Sequence, residues 1–468
     1  MNPFPKAAAA LFGAAVVVGV LFIGQSFLET RRLFLVAASA CLAIIAVAVL
    51  AASRRGPTVF FDAKIFGLAG ILVFLVVGML KSVFIYETPV TLDISTASKA
   101  VLVAASALTG FLLGSAWGFR VRRLGRFSRG QLSTPRLLFL TLLLGVVGLV
   151  GLWQFKNPLQ QYDPTASKYT QLVAGCLPAA GALALWLLFT VRPRTPARRL
   201  LFWAALLPWP PLAVISTSRM PLAFLVSFGF VLYVYRLWSR GPKPFPVGRV
   251  AVLGVAVAVG LLFSAAVVDV LADYNWGLDP NMPSLLQAAE GKFEGFTAVD
   301  AFDNLVRVVQ LYPDRDRYLY GWSLLALVVN PIPRSAWPEK PYGFDRLLVE
   351  ELGQAAYRGH SVSPSLAGEL LANFGYLGPF VGYLLLGLLG ASLYERFLQA
   401  QPYSPFHALY LAGLIVFLLE SRGGFLVINV RFGWYLAVLY VALRLSAVGM
   451  KRERPARGPV WSPAPAGR

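Results

Sequence analysis

Long apolar stretches alternate with short polar segments along most of this 468-residue chain. The apolar stretches are about 17 to 23 residues long, and a helix rising 1.5 Å per residue needs about 20 such residues to cross the ~30 Å hydrocarbon core of a bilayer. The pattern therefore predicts an all-α polytopic membrane protein with about twelve transmembrane helices. The predicted spans begin at Ala7, Leu33, Ile65, Ala100, Leu137, Gln171, Leu200, Pro221, Val250, Gly375, Phe406 and Phe432.

The first apolar stretch, Ala7 to Leu28, follows Lys6 and has the position of a secretory signal. It is longer than the usual apolar region of such a signal and has no convincing cleavage site. We expect it to be retained as the first span.

One long polar segment, residues 269 to 374, interrupts the apolar pattern late in the chain. Polar backbone and charged side chains need water or partners, so an insert of this size between spans is expected to work at a membrane face. Within it, Tyr318 to Ile332 is short, apolar and rich in Trp and Tyr, which is typical of an interfacial or re-entrant helix.

The charge distribution predicts which way the chain crosses the membrane. Lys and Arg number 42 against 22 Asp and Glu, and the net charge is +20. Most of the basic residues fall in short segments on the side of the N-terminus, which the positive-inside rule assigns to the cytoplasm. We expect both termini to be cytoplasmic and the polar segment to face outward, into the periplasm or extracellular space. Because the charge is dispersed over short loops, no nucleic-acid partner is expected.

These assignments divide the chain into four parts. Residues 1–268 form an N-terminal transmembrane bundle, and residues 269–374 form a periplasmic loop domain with short helices. Residues 375–450 form C-terminal transmembrane helices, and residues 451–468 form a basic cytoplasmic tail.

The few cysteines and histidines limit the disulfides and metal sites that the chain could form. Cys41 and Cys176 both lie in apolar stretches, and His360 and His407 are the only histidines. This set offers neither a disulfide framework nor a Cys/His zinc site. No Gly-rich phosphate loop occurs at a strand-to-helix junction. We therefore expect no metal and no cofactor.

The end of the polar segment carries a helix signal. Ser363 is expected as the N-cap, Pro364 as the first helical residue, and Gly375 as the end. Residues spaced by four lie on one helix face, and such spacing predicts a polar stripe near the helix N-terminus, where an anion is favoured. The stripe consists of Ser365, Glu369 and Asn373.

Basic residues at span ends and in the polar segment suggest anion binding. Converging guanidinium groups bind the oxygens of a diphosphate in bidentate fashion and stabilise charge on a leaving phosphate. A lone arginine at a span end can instead extend to lipid headgroups, and Glu420 can instead neutralise Arg422. The residues in question are Arg219, Arg334, Lys340, Arg358, Arg422 and Arg431.

An acceptor hydroxyl attacking such a donor needs a general base. His360, the only histidine on the outer side, has an intrinsic pKa of about 6.5 and suits that role. Glu369 is the alternative, acting alone or orienting the imidazole. A single loop histidine can also serve only to hydrogen-bond a turn.

Three segments carry a resemblance to a known family. They are Pro-Arg-x-x-Trp-Pro-x-Lys-Pro at 333–341, Ser-Pro-Ser-x-x-Gly-Glu-x-x-x-Asn-Phe-Gly at 363–375, and the turn Thr217-Ser218-Arg219 before a span. Together with the topology, they resemble the Wzy-type O-antigen or oligosaccharide repeat-unit polymerases.

The resemblance implies a metal-independent, GT-C-like glycosyltransferase in a bacterial inner membrane, with its active site facing the periplasm. Such an enzyme transfers a glycan, with inversion, from undecaprenyl diphosphate onto the non-reducing end of a lipid-linked repeat unit, and a chain-length regulator is an expected partner. Arg219, Arg334 and Arg431, with Arg422 and Lys340, would hold the diphosphate. His360 or Glu369 would activate the acceptor. The residues expected to bind the acceptor glycan are Trp337, Arg358, Ser363, Ser365 and Asn373.

Three other functions remain open at the level of sequence. An O-antigen ligase shares the topology and the lipid donor but transfers to lipid A core. A metal-dependent GT-C transferase usually has an acidic motif in its first outward loop, whereas residues 29–32 here read Glu-Thr-Arg-Arg. A lipid-linked oligosaccharide flippase would be expected to show an internal repeat with broken helices, which is not evident here.

Overall fold

The computed structural model describes residues 30–53, 56–84, 94–118, 131–155, 173, 175–190, 219–239, 246, 248–250, 252–254, 256–257, 301–312, 318–330, 332, 335–352 and 363–448. Apart from one two-residue antiparallel ladder, Gln131–Leu132 with Ala447–Val448, the regular structure in these ranges is helical. Between α1 and α2 lies a 3₁₀ turn, Gly56–Phe61, and between α2 and α3 a π segment, Leu72–Val76. The helices are α1 Thr30–Ser53, α2 Ala63–Ile71, α3 Val77–Phe84, α4 Ile94–Trp117, α5 Thr134–Phe155, α6 Cys176–Thr190, α7 Arg219–Trp238, α8 Ala301–Leu311, α9 Trp322–Val329, α10 Phe344–Glu351, α11 Leu366–Phe374, α12 Leu377–Gln399, α13 Pro405–Leu419 and α14 Phe425–Ser446.

The described helices are those of a multi-pass membrane protein. Six apolar segments are long enough to cross a bilayer, lying in α1, α2–α3, α4, α5, α12 and α14, while α6, α7 and α13 are apolar but shorter. These helices coincide with nine of the predicted spans. Of the remaining predicted spans, those beginning at Ala7 and Leu200 lie outside the described residues, and the one beginning at Val250 is described only in part. The count of twelve therefore stays a prediction.

Local signals account for several helix ends. Asp62 caps α2, its side chain accepting a hydrogen bond from Lys64 N at 3.0 Å. Ser404 caps α13, and Pro405 follows at the first helical position, where its missing N–H costs nothing. These ends follow from sequence alone.

Two apolar clusters form the interior. One joins α1, α4, α8 and α11, and the other joins α6, α7, α13 and α14. The rings of Phe34 in α1 and Phe302 in α8 meet edge to face at 5.3 Å. The short helices of the polar segment therefore share a core with membrane helices.

Close packing of α4 against α12 depends on glycine. A Cβ on Gly110 would lie 2.2 Å from the carbonyl oxygen of Phe380, and one on Gly114 would lie 2.0 Å from that of Leu384. Small residues at such positions let two membrane helices approach backbone to backbone. Because only Gly375 and Tyr376 separate α11 from α12, this contact also fixes the position at which the polar segment ends.

Candidate functional site

Helix α11 begins two residues further along the chain than the sequence predicts. Ser365, not Ser363, is the N-cap, and its hydroxyl accepts a hydrogen bond from Gly368 N at 3.0 Å. Pro364 accordingly lies before the helix rather than in its first turn. The prediction of Ser363 as the cap was wrong because hydrogen bonds from distant segments hold residues 363–365 outside the helix.

Two long-range hydrogen bonds hold the residues before α11. Ser365 N donates to the carbonyl oxygen of Arg422 at 3.2 Å, and the side chain of Asn304 in α8 donates to the carbonyl oxygen of Ser363 at 3.0 Å. Ser365 takes φ 58° and ψ 151°, a conformation favoured by glycine. The hydroxyl of Ser365 is buried and engaged in capping.

Glu369 and Asn373 share one face of α11, as predicted, and both contact Ser323 of α9. The Ser323 hydroxyl donates to Glu369 Oε1 at 2.7 Å and accepts from Asn373 Nδ2 at 2.7 Å. Asn373 Oδ1 in turn accepts from Gly321 N at 3.0 Å. All three side chains are buried, so the chain of hydrogen bonds satisfies polar groups that would otherwise be costly.

The second oxygen of Glu369 is bound from a different direction. Phe425 N, at the first turn of α14, donates to Glu369 Oε2. Helix N-termini present free N–H groups and positive potential, so a carboxylate is favoured there. A Cβ on Gly424 would lie 3.3 Å from this oxygen, a tight contact. Glycine at 424 thus lets the turn between α13 and α14 lie against Glu369.

Burial sets the protonation of Glu369. Loss of hydration raises the pKa of this carboxyl to about 7, the hydrogen bonds from Ser323 and Phe425 oppose that rise, and the charge of Asp345 at the start of α10 adds to it. A carboxyl with a pKa near neutrality suits proton exchange or a charge-sensitive structural role.

Glu420 lies in the turn between α13 and α14, near Glu369. It is 3% exposed, and among the described residues its Oε2 atom has no hydrogen-bond partner. Burial raises the pKa of Glu420 to about 8, a hydrogen bond from Asn429 opposes this, and the charge of Glu369 reinforces it. Beside it, Tyr383 of α12 donates to the hydroxyl of Ser421 at 3.3 Å.

Lys340 is buried and bound to backbone. Its Nζ donates to the carbonyl oxygens of Asn330 at 3.1 Å and Ile332 at 2.6 Å, just beyond α9. A cation is favoured beside the free carbonyls at a helix C-terminus. These bonds give Lys340 a structural role in this fold, and its diphosphate role stays a prediction.

The other predicted site residues are described to different extents. Trp337 and Ser363 are partly exposed, and Arg422 is half-buried, with its carbonyl oxygen engaged by Ser365 N. Arg219 begins α7 and Arg431 lies in α14, but their side chains are outside the described residues. Also outside the described residues are Arg334, Arg358 and His360. Convergence of the arginines therefore stays a prediction.

Sequence reasoning missed several members of the network around Glu369. Ser323 lies 46 positions before Glu369, and Phe425 contributes a backbone N–H rather than a side chain. No local spacing links either residue to α11. Glu420 was considered only as a partner for an arginine, whereas the structure brings it near another acid. The positive dipole end of α14 is the only sequence-level signal that could have indicated part of this arrangement.

The fold and this network define a helical membrane protein with a buried polar site where the polar segment meets its C-terminal helices. Comparison with protein-family models, with curated proteins and with solved structures found no match to the chain. Among the described residues, no group of three or more His, Cys, Asp or Glu is arranged to hold a metal ion.

Proposed function

We propose that this protein is a polysaccharide polymerase of the Wzy type. It would transfer a glycan from undecaprenyl diphosphate to the non-reducing end of a lipid-linked repeat unit at the periplasmic face of a bacterial inner membrane. About twelve spans, a GT-C-like arrangement, cytoplasmic termini and a chain-length regulator belong to this proposal.

One observation carries the proposal. The segment at 363–375, which bears much of the resemblance, is the segment whose polar side chains make the buried network with Ser323 and Phe425. A buried network is expensive unless each group is satisfied, so its presence beside membrane helices supports a site rather than an ordinary connector.

The network supports a division of roles between the two candidate bases. Both oxygens of Glu369 already accept hydrogen bonds, from Ser323 and Phe425. We therefore assign Glu369 a positioning role and His360 the role of general base. The imidazole would take the proton of the acceptor hydroxyl as that oxygen bonds to the anomeric carbon.

Arginines complete the proposed mechanism. Arg219, Arg334 and Arg431 would bind the diphosphate and stabilise the charge it gains as its bond to the sugar breaks. Arg422 and Lys340 would border this site, and the acceptor glycan would contact Trp337, Arg358 and Ser363. Ser365 and Asn373, predicted as further glycan contacts, are fully buried and hydrogen-bonded within the fold, so we assign them the role of holding α11 in place. The proposal requires no metal.

Chain length in a membrane complementation assay tests the site. We expect Arg334→Ala and His360→Ala each to abolish long polymer. Arg346→Ala is the matched control, because Arg346 is exposed and paired with Glu350 in α10 at 2.9 Å. Unchanged chain length in both site variants would show that the site is misplaced.

Extension of a purified lipid-linked repeat unit tests the reaction itself. We expect elongation without lipid A and undiminished turnover in EDTA. Transfer only when lipid A core is added would indicate a ligase, and loss of activity restored by manganese or magnesium would indicate a metal-dependent transferase. Transport of the lipid-linked sugar in sealed vesicles without elongation would indicate a flippase.

A further inference from the structure

Two buried carboxyl groups lie close enough to interact electrostatically where the turn between α13 and α14 packs on α11. Glu369 is fully buried and Glu420 is 3% exposed. The turn is held against α11 by the bond from Ser365 N to the Arg422 carbonyl and by the bond from Phe425 N to Glu369. The two acids are therefore kept close by backbone contacts, not by chance orientation of surface side chains.

The two carboxyl groups differ in their hydrogen bonds. Glu369 receives one donor on each oxygen, which suits an ionised carboxylate. Glu420 receives a bond from Asn429, but its Oε2 has no partner among the described residues. A buried ionised oxygen left without a donor is costly, so Glu420 is the member that favours the neutral form.

The charged group beside Glu369 opposes this difference. Asp345, at the start of α10, adds negative charge that disfavours the ionised form of Glu369, so the two donors from Ser323 and Phe425 must outweigh it. Tyr383 of α12 lies near Glu420 and donates a hydrogen bond to Ser421. Arg422 belongs to the same turn, and Arg431 is in α14, with its side chain outside the described residues. Two ionised carboxylates at short range in a medium of low dielectric constant repel strongly.

We propose that Glu369 and Glu420 share a single proton at neutral pH, with Glu420 as the member that holds it. The pair then carries one negative charge, placed on Glu369 where α9 and α14 supply donors. Removal of the shared proton would charge both groups and weaken the contact between α11 and the turn. The pair is thus a pH-sensitive joint between the polar segment and the last two helices.

Infrared difference spectroscopy of the full-length protein in lipid nanodiscs tests for this proton. We expect a carbonyl band of a protonated carboxyl group at neutral pH that disappears on alkaline titration and is absent in Glu420→Gln.

The negative charge of Glu369 helps to keep the proton on Glu420. Removing that charge by Glu369→Gln is therefore expected to make the band titrate at a lower pH than in the wild-type protein.

Glu350→Gln is the matched control, because Glu350 is exposed on α10 and lies outside the pair. A band that is unchanged in Glu420→Gln, or whose titration is unchanged in Glu369→Gln, would overturn the proposal. Should Glu420→Gln fail to fold, Asn429→Ala serves instead. It removes a bond that opposes protonation of Glu420, so the band should then persist to a higher pH.

The pH dependence of unfolding gives a second readout that does not depend on enzymatic activity. An unfolded Glu has a pKa of about 4.3, whereas burial raises the pKa values of Glu369 and Glu420 to about 7 and about 8. Between these limits the folded state binds more protons than the unfolded state, so stability falls as pH rises and levels off above about pH 8. Glu420→Gln should flatten this slope, and an unchanged slope would contradict the proposal.

A comparison of sodium with choline tests whether a monovalent cation, rather than a proton, neutralises the two carboxylates. If a monovalent cation neutralised the carboxylates, sodium would stabilise the protein more than choline at equal ionic strength, and the carbonyl band would be missing. That result would overturn the proposal. Equal stability in the two salts, with the band present, supports a proton.

Discussion

Ser365 shows how a single residue can serve two demands that oppose one another. Its hydroxyl caps α11, which favours serine, while its backbone takes φ 58° and ψ 151°, which favours glycine. Such a conformation costs about 1 to 3 kcal/mol in a residue with a side chain. The long-range bond from Ser365 N to the Arg422 carbonyl oxygen keeps the backbone in place.

The two demands can be separated by two substitutions at Ser365. Ser365→Ala loses the cap, at a cost of about 0.5 to 2 kcal/mol, and keeps the strain. Ser365→Gly loses only a few tenths of a kcal/mol of capping and relieves the strain. We therefore expect Ser365→Gly to unfold at or above the wild-type temperature and Ser365→Ala below it, measured by thermal unfolding in detergent. The reverse order would show that the backbone is not strained.

Ser365 also shows how far local sequence can predict the start of α11. The Ser-Pro-Ser pattern allows a cap at Ser363 or at Ser365, and the preference for proline at the first helical position favours Ser363. Bonds from Asn304 and to Arg422 select Ser365 instead. The face shared by Glu369 and Asn373 was predictable because it depends only on helical periodicity.

At the scale of elements, helix existence was predictable and helix contacts were not. Apolar length predicted the helices from α1 to α14 that coincide with expected spans. Nothing local, however, indicates that α4 and α12 touch backbone to backbone, since the glycines involved are separated from their partners by more than 200 residues of sequence.

Gly114 tests this contact. A Cβ there would lie 2.0 Å from Leu384 O, so Gly114→Ala must force α12 away, and we expect a loss of about 1 to 3 kcal/mol or more. Gly413→Ala in α13 is the control, because no atom lies within 4 Å of its Cβ position, and alanine has the higher helix propensity. Thermal unfolding and size-exclusion profiles in detergent should show damage only in Gly114→Ala. Equal stability of the two variants would contradict the packing described.

At the scale of the whole molecule, α9 provides a test of where the bilayer ends. Ser323, Ala326 and Val329 form the buried face of α9, and exposed apolar side chains form the adjacent face. Phe374 and Leu377 are exposed as well, and the Phe374 ring lies beside Gly321 at the start of α9. The residues exposed on and after α9 are Trp322, Leu325, Val328 and Ile332. An exposed apolar helix face of this kind is typical of contact with lipid.

A spin label at Val328 measures this contact. Val328 is 75% exposed, and we expect Val328→Cys, labelled in nanodiscs, to be accessible to oxygen and protected from a water-soluble nickel complex. Glu350→Cys on α10 should show the opposite pattern, and the native Cys41 and Cys176 are buried and should not react. Equal access of the nickel complex at both labelled positions would mean that α9 faces water.

The sequence by itself determined that this is a helical membrane protein with a late polar segment, because apolar length and helical periodicity are local properties. It also placed Glu369 and Asn373 on one helix face. Only the tertiary structure decided that Ser323, Phe425 and Glu420 join them, since these partners come from segments about 50 residues away on either side. Their meeting depends on packing between distant helices, which no local pattern encodes.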